Sequence, residues 1–160
     1  MDAYYLDDFV PGQRFSGRTR IRIDADQIKT FAAEFDPQPF HVDEALASKS
    51  FFRGLAASGW HTAAVTMRLL VDSECKPAGG IVGAGFEELR WPRPVRPGDE
   101  LHVESEVLEV RPSTSRPEQG LVKVRTTTLN QNDEIVQISV GNLVVVRRSS
   151  TTAERDGKSV

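Results

Sequence analysis

The sequence predicts an α+β fold: one domain in which an antiparallel β-sheet wraps around a long central helix. Three observations carry this. Helix caps and prolines punctuate the first third of the chain, one apolar helical run occupies its middle, and strand-like segments rich in Val, Ile, Leu and Thr fill its second half. That order segregates the helices from most of the strands, as mixed α+β architectures do. A chain of 160 residues suits a single core, because a domain near this length buries about 70% of the surface its unfolded chain exposes. The domain is expected over residues 1–148, followed by a polar flexible tail over 149–160.

Phe15 to Ile23 reads as an opening strand, alternating apolar and polar at Ile21, Arg22 and Ile23, with Gly17 weakening its middle. Asp24 and Gln27 form a capping-box pattern, and Ile28, Phe31, Ala32 and Phe35 recur at helical spacing, so a helix begins at Asp24 and stops before Pro37. In the run Asp36-Pro37-Gln38-Pro39-Phe40-His41, Pro37 turns Asp36 away from helical geometry and Pro39 does the same to Gln38. The run is expected to stay extended and stiff. Asp43 then caps a brief helix carrying Ala45, Leu46 and Ala47, and a loop of Phe51, Phe52, Arg53 and Gly54 follows.

Ser58 to Val71 is the main helix, apolar on much of its circumference through Ala63, Val65, Met67, Leu69 and Leu70, and therefore expected to be buried. The character of the chain changes at Gly79-Gly80. Val82 to Arg90, Glu100 to Val110, Leu121 to Asn130 and Glu134 to Arg147 read as long antiparallel strands. Turn signals separate the last three, at Pro117 to Gly120 and Asn130 to Asp133, and Pro97-Gly98-Asp99 precedes them.

Composition narrows the function classes. A formal charge of -3 argues against a nucleic-acid binder, since neutralising phosphates takes a clustered excess of Lys and Arg. Cys75 is the single cysteine, so neither an intramolecular disulfide nor a thiolate metal cage can form. The start Met1-Asp2-Ala3-Tyr4-Tyr5-Leu6-Asp7-Asp8 is acidic where a signal peptide is positive. No apolar run approaches the ~20 residues of a membrane span. A cytoplasmic protein with no membrane partner is the expectation. Metal-ligand spacing is missing too, with neither paired Cys nor His at helical intervals.

The chemistry concentrates in two places. Asp36 and His41 sit on a proline-stiffened frame and form a candidate general acid/base pair gripping one water, because histidine ordinarily titrates near about 6.5 while aspartate stays ionised. The alternative role is structural, with Asp36 closing one helix and His41 capping the next. At Ser58-Gly59 the main helix begins, and its first turn leaves backbone N–H groups unpaired. Gly59, lacking a side chain, lets its N–H approach an oxygen that becomes negative, aided by the helix dipole. The alternative there is Ser58 as a plain cap. His61 in that first turn either lines the pocket or is a satisfied helix-end histidine, and His102 between Glu100 and Glu104 reads as a solvated strand face.

Taken in order, Asp36-Pro37-Gln38-Pro39-Phe40-His41-Val42-Asp43, Leu55-Ala56-Ala57-Ser58-Gly59-Trp60-His61-Thr62 and Trp91-Pro92-Arg93-Pro94-Val95-Arg96-Pro97-Gly98-Asp99 resemble the MaoC-like branch of hotdog-fold proteins. That branch includes R-specific enoyl-CoA hydratases and acyl dehydratases, and the likeness runs from about Asp7 to Arg147. The resemblance implies a hotdog domain, catalytic roles for Asp36 and His41, and an oxyanion donor at the Gly59 N–H. It implies a hydro-lyase of fatty acid metabolism that adds water to trans-2-enoyl thioesters or removes it from R-3-hydroxyacyl thioesters. Candidates for binding the substrate are Gln38, Phe40, Ser58, Trp60, His61 and Arg93, with Arg90 and Arg96 extending a basic strip toward the phosphates of coenzyme A.

No cofactor is expected beyond the coenzyme A of the substrate. The expected partners are an acyl-CoA or acyl-carrier-protein thioester and further copies of the chain, as a homodimer or a higher homo-oligomer. Two positions depart from the hydratase pattern, which has Gly before the Asp and Asn two positions after it; here stand Phe35 and Gln38. Gln38 keeps the carboxamide on a longer arm, and the bulk of Phe35 is expected to reshape the acyl pocket. A hotdog thioesterase is the nearest rival, but its carboxylate commonly comes from within or near the main helix, and Ser58 to Val71 contains no Asp or Glu. A binding module that kept the fold and lost turnover is the other.

Overall fold

The computed structural model describes residues 2–149. The tail expected over 149–160 lies, Ser149 apart, outside them. A 3-10 turn at Leu6–Asp8 precedes strands β1 (Arg14–Ser16) and β2 (Ile21–Arg22). The single opening strand read from the sequence is thus two short ones. The break falls at Gly17, where the backbone passes close over Val103 and the end of the main helix at Ser73.

Helix α1 (Ala25–Phe35) starts at the expected capping box: Gln27 N–H donates to Asp24 Oδ1 at 2.8 Å and Asp24 N–H to Gln27 Oε1 at 3.0 Å. Its buried face is Ile28 and Ala32. It ends at Asp36, where φ of -153° leaves the helical region ahead of Pro37. The following run is not extended throughout. Gln38 is, but Pro39–Val42 form a one-turn helix α2 with Pro39 at its first position, where a fixed φ favours a helix start and the missing N–H has no intrahelical partner to lose. Helix α3 (Glu44–Ser48) begins as expected at Asp43, whose Oδ1 accepts the Leu46 N–H at 2.8 Å.

The main helix α4 (Gly59–Asp72) buries His61, Thr62, Thr66 and Leu69. It is not buried all round: Trp60, Met67 and Val71 remain exposed, because the sheet covers one flank only. Four long strands follow, β3 (Val82–Arg90), β4 (Glu100–Pro112), β5 (Gln119–Leu129) and β6 (Ile135–Val146). They pair antiparallel in the order β1-β4-β5-β6-β3, with β2 also on β4. The helical segment therefore crosses from β2 at one side of the sheet to β3 at the far edge, and α4 lies against β4 and β6 on the way. This is the hotdog arrangement that the motif resemblance implies.

Two apolar clusters result. Ile28, Leu69, Leu101, Val103 and Val136 close the space between α4 and the sheet. Leu6, Phe9, Phe15, Val107, Val122 and Val145 seal the other end, where Tyr4 meets Phe15 edge-on at 5.2 Å. Cys75 lies in this second cluster, and burial pushes its thiol up to about 11, so it is protonated and inert at neutral pH. His102 is not on a solvated face. It is buried because Arg20 donates to its Nδ1 at 3.2 Å while Asp133, in the β5–β6 turn, faces its Nε2 at 3.2 Å. Among the described residues no helix is long and apolar enough to cross a membrane.

Candidate active site

Local backbone geometry brings three segments to one point. Asp36 is fixed by the end of α1, its N–H donating to Ala32 O at 2.9 Å. His41 sits in α2, whose Phe40 carbonyl accepts the Ala56 N–H at 3.3 Å and so draws the strand-like approach to α4 alongside. Ser58, fully buried, caps α4 by accepting the Trp60 N–H at 3.3 Å.

The three side chains interlock. Ser58 Oγ donates to Asp36 Oδ2 and Gln38 Nε2 donates to Asp36 Oδ1, each at 2.7 Å. His41 Nε2 stands 3.4 Å from Asp36 Oδ2. His41 Nδ1 lies 2.6 Å from the Ala56 carbonyl, which can only accept, so Nδ1 carries a ring proton and Nε2 is the nitrogen that faces Asp36. In the uncharged ring Nε2 and the carboxylate oxygen are both acceptors and do not bond to each other. A water beside the pair can donate to both, and a proton arriving at Nε2 is stabilised by the carboxylate. Burial raises the Asp36 pKa, but the hydrogen bonds from Gln38 and Ser58 and the neighbouring His41 outweigh it and hold the carboxyl below its ordinary range.

His41 opens on a cleft of about 510 Å³ that is also lined by Phe52, Gly59, Thr62, Trp91 and Arg93. The Gly59 N–H has no acceptor among the described residues, being ahead of the first intrahelical bond, from Thr62 N–H to Ser58 O at 3.1 Å. Glycine is required at this position by contact: a Cβ would lie 2.6 Å from the indole of Trp91.

The other residues singled out in the sequence are dispersed. Gln38 holds Asp36 from the solvent side. Phe40 packs edge-on against His41 at 4.6 Å and joins the core rather than the cleft wall. Trp60 is 60% exposed and meets Trp91 edge-on at 5.5 Å. His61 neither lines the cleft nor is satisfied: it stacks on Phe31 at 4.6 Å, its Nδ1 has no partner among the described residues, and burial lowers its pKa. Phe35, 64% exposed, packs on Phe31.

The basic strip is interrupted: Arg90 and Arg93 stay exposed, each beside a carboxylate, and Arg96 leaves it. Arg90 pairs with Glu88 and Arg93 with Glu134 at 2.8 Å. Arg96 turns inward and donates to the carbonyls of Phe52, Gly54 and Leu55. Sequence reasoning missed this clamp, and it missed Trp91 as a cleft wall, whose Nε1 donates to the buried Gln137 Oε1 at 2.9 Å. The Trp91-Pro92 motif was the available signal. Among the described residues no group of His, Cys, Asp and Glu could hold a metal.

A family model described as "MaoC like domain" matches residues 8–130. The uncharacterized protein YdeM of Bacillus subtilis is 38% identical over 141 residues, covering 88% of this chain and 96% of that protein. A mesaconyl-CoA hydratase of Cereibacter sphaeroides is 39% identical over 80 residues, which is 50% of this chain and 23% of that protein. Among solved structures, a MaoC-like dehydratase from Rhodospirillum rubrum has a TM-score of 0.88 at 56% identity, covering 92% of this chain and 100% of that one. The R-hydratase PhaJ1 from Pseudomonas aeruginosa has a TM-score of 0.67 at 26% identity, covering 98% and 96%.

Proposed function

Because the chain belongs to the family of MaoC-like dehydratase domains, we propose that it is a hydro-lyase that reversibly adds water to trans-2-enoyl thioesters and removes it from R-3-hydroxyacyl thioesters. One observation carries the reading. The Nε2 of His41 and Oδ2 of Asp36 face each other at 3.4 Å in a site whose cleft also holds the unpaired N–H of Gly59.

The chemistry follows from that placement. The Gly59 N–H and the helix dipole polarise the thioester carbonyl, which draws electron density from C3. A water on the cleft side of Asp36 and His41, hydrogen-bonded to both, gives its proton to the Nε2 lone pair as its oxygen bonds to C3. Asp36, ionised, balances the imidazolium and keeps the ring oriented. The electron pair moves through the C2–C3 bond to the thioester oxygen, and a proton returned to C2 completes the addition. General acid/base catalysis contributes about 100- to 10,000-fold, and one oxyanion donor about 100- to 1,000-fold in kcat, so both halves of the site are needed.

The substrate carries coenzyme A or an acyl-carrier protein, and no further cofactor takes part. Similarity to an R-hydratase and to part of a mesaconyl-CoA hydratase supports the reaction class. We assign a cytoplasmic location and a homodimer, the latter because the edge strand β3 exposes Val82 and Phe86 beside the open flank of α4.

The test uses purified protein with crotonyl-CoA, following loss of the conjugated enoyl absorbance separately from release of free thiol. Absorbance loss without thiol is expected, and Asp36→Asn and His41→Ala should each remove most of it while leaving folding intact. Thiol release without water addition would make the protein a thioesterase, and near-normal turnover in either variant would remove that residue from the mechanism.

A further inference from the structure

The catalytic cleft carries a positive charge that the proposed reaction does not use. Arg93 and Arg96 line it, and none of its lining residues is Asp or Glu. Arg93 is neutralised by Glu134 at 2.8 Å. Arg96 is not: among the described residues no carboxylate comes within 4.0 Å of its guanidinium. Asp99, the acid nearest in the chain, turns its oxygens to the Arg96 main-chain N–H at 2.8 Å and to the Gln131 amide at 3.0 Å.

What holds the half-buried Arg96 side chain is main-chain oxygen. Nη1 donates to Gly54 O at 2.8 Å and to Leu55 O at 3.2 Å, and Nη2 donates to Phe52 O. Carbonyl dipoles satisfy donors but leave the net charge in place, and drawing that charge out of water is costly unless an anion meets it. A guanidinium has five N–H groups. Three are taken here, so Nε–H and the second Nη2–H remain without a partner among the described residues, on a plane that the three carbonyls fix. A planar fork of donors set in advance matches the two oxygens of a carboxylate.

Its position selects which anion. Ala57 N–H donates to Val95 O at 2.9 Å, which lays the Arg96 segment beside the approach to α4 and to the Gly59 N–H. Arg96 also grips Leu55 O, one peptide before the Ala56 carbonyl that holds His41. Consecutive α-carbons are about 3.8 Å apart, so the guanidinium lies within about 12 Å of the imidazole. The phosphates of coenzyme A hang at the far end of the pantetheine arm, whereas the acyl chain begins at the reacting carbons.

We propose that Arg96 binds a second carboxylate, carried at the far end of the acyl chain, so that the substrate is a short 2-enoyl thioester of a dicarboxylic acid. This rests on the hydro-lyase reading for the reaction but not for the binding, and its test separates the two. Rates are measured with trans-2-pentenedioyl-CoA and with its methyl ester, the same chain without the charge, for the wild type, Arg96→Met and Arg96→Lys. Arg96 also steadies the loop at Phe52 to Leu55, so both variants should lose activity toward both substrates, and the ratio between the substrates reads recognition alone.

The wild type should prefer the acid in kcat/KM by about 10- to 100-fold, the range of a hydrogen bond to a charged group. Arg96→Met should bring the ratio close to parity, chiefly by raising KM for the acid, and Arg96→Lys, which keeps the charge and loses the fork, should retain part of the preference. Calorimetric binding of saturated glutaryl-CoA and its methyl ester to the wild type gives the same contrast without turnover, and it decides the matter even where a variant fails to fold. A wild type that takes acid and ester equally, or a preference unchanged in Arg96→Met, overturns the carboxylate site. So does a loss in Arg96→Met that disappears when pantetheine thioesters replace those of coenzyme A, which would give Arg96 to a phosphate. Absence of hydration in every protein, with glutaryl-CoA still bound more tightly than its ester, sinks the hydro-lyase reading and leaves the carboxylate site standing.

Discussion

Ser58 ties the placement of the Asp36 carboxylate to stability, and Ser58→Ala tests that tie. Its hydroxyl, on a fully buried side chain, donates to Asp36 Oδ2 at 2.7 Å and accepts the Trp60 N–H at 3.3 Å. A hydrogen bond to a charged group contributes about 1.5–3 kcal/mol, and loss of a serine N-cap costs about 0.5–2 kcal/mol. One hydroxyl serves both, so the two do not simply add, and a loss of about 2–3 kcal/mol at pH 7 is expected. For a chain of this length that lowers Tm by about 4–12 °C.

The pH dependence supplies the sharper check. The Asp36 carboxyl is depressed in the folded protein, so it contributes stability above its unfolded value of 3.8 that is lost as pH falls through the folded value. Ser58 supplies part of that depression. The gap between wild type and variant should therefore narrow on acidification through the carboxylate range, as read by urea titrations from pH 7 to pH 3. The acidic limb of kcat/KM should move to higher pH. A Tm within about 1 °C of wild type, or a gap that stays constant with pH, would refute the coupling between Ser58 and Asp36.

Two further outcomes follow from neighbouring contacts. Gly59→Ala puts a methyl group 2.6 Å from the Trp91 indole; the ring must move, and overpacking of this kind costs about 1–3 kcal/mol, with tryptophan fluorescence and crotonyl-CoA turnover both altered. The buried His61 has a lowered pKa, so its unfolded form binds a proton first and the wild type loses stability as pH falls below about 6.5. His61→Phe should flatten the change in Tm between pH 7.5 and pH 5.0, and an unchanged slope would mean that His61 is not the group responsible.

What was legible in the sequence was local. The Asp24–Gln27 box and the caps at Asp43 and Ser58 are bonds across three residues or fewer, and they stand where the pattern put them. The strand runs were legible because alternation survives pairing. That Asp36 and His41 stand together was legible for the same reason, both being held in one short proline-framed segment. The helical turn at Pro39 was misread because proline at the first helical position and proline in an extended run present the same local signal. The rest depended on partners far along the chain. Arg20 lies 82 positions from His102 and Gln137 lies 46 from Trp91. Nothing in the alternation of Glu100, His102 and Glu104 announces that a guanidinium and a turn carboxylate will close over the imidazole.

The Arg96 clamp reaches further than its own hydrogen bonds. It grips the main-chain oxygens of Phe52, Gly54 and Leu55, and the next carbonyl, that of Ala56, is the one that dictates which nitrogen of His41 bears hydrogen. Arg96, itself on the wall of the cleft, thus also sits upstream of the imidazole's tautomeric choice. Substitutions at position 96 would loosen the segment that carries the Ala56 carbonyl and so shift the orientation of the His41 ring.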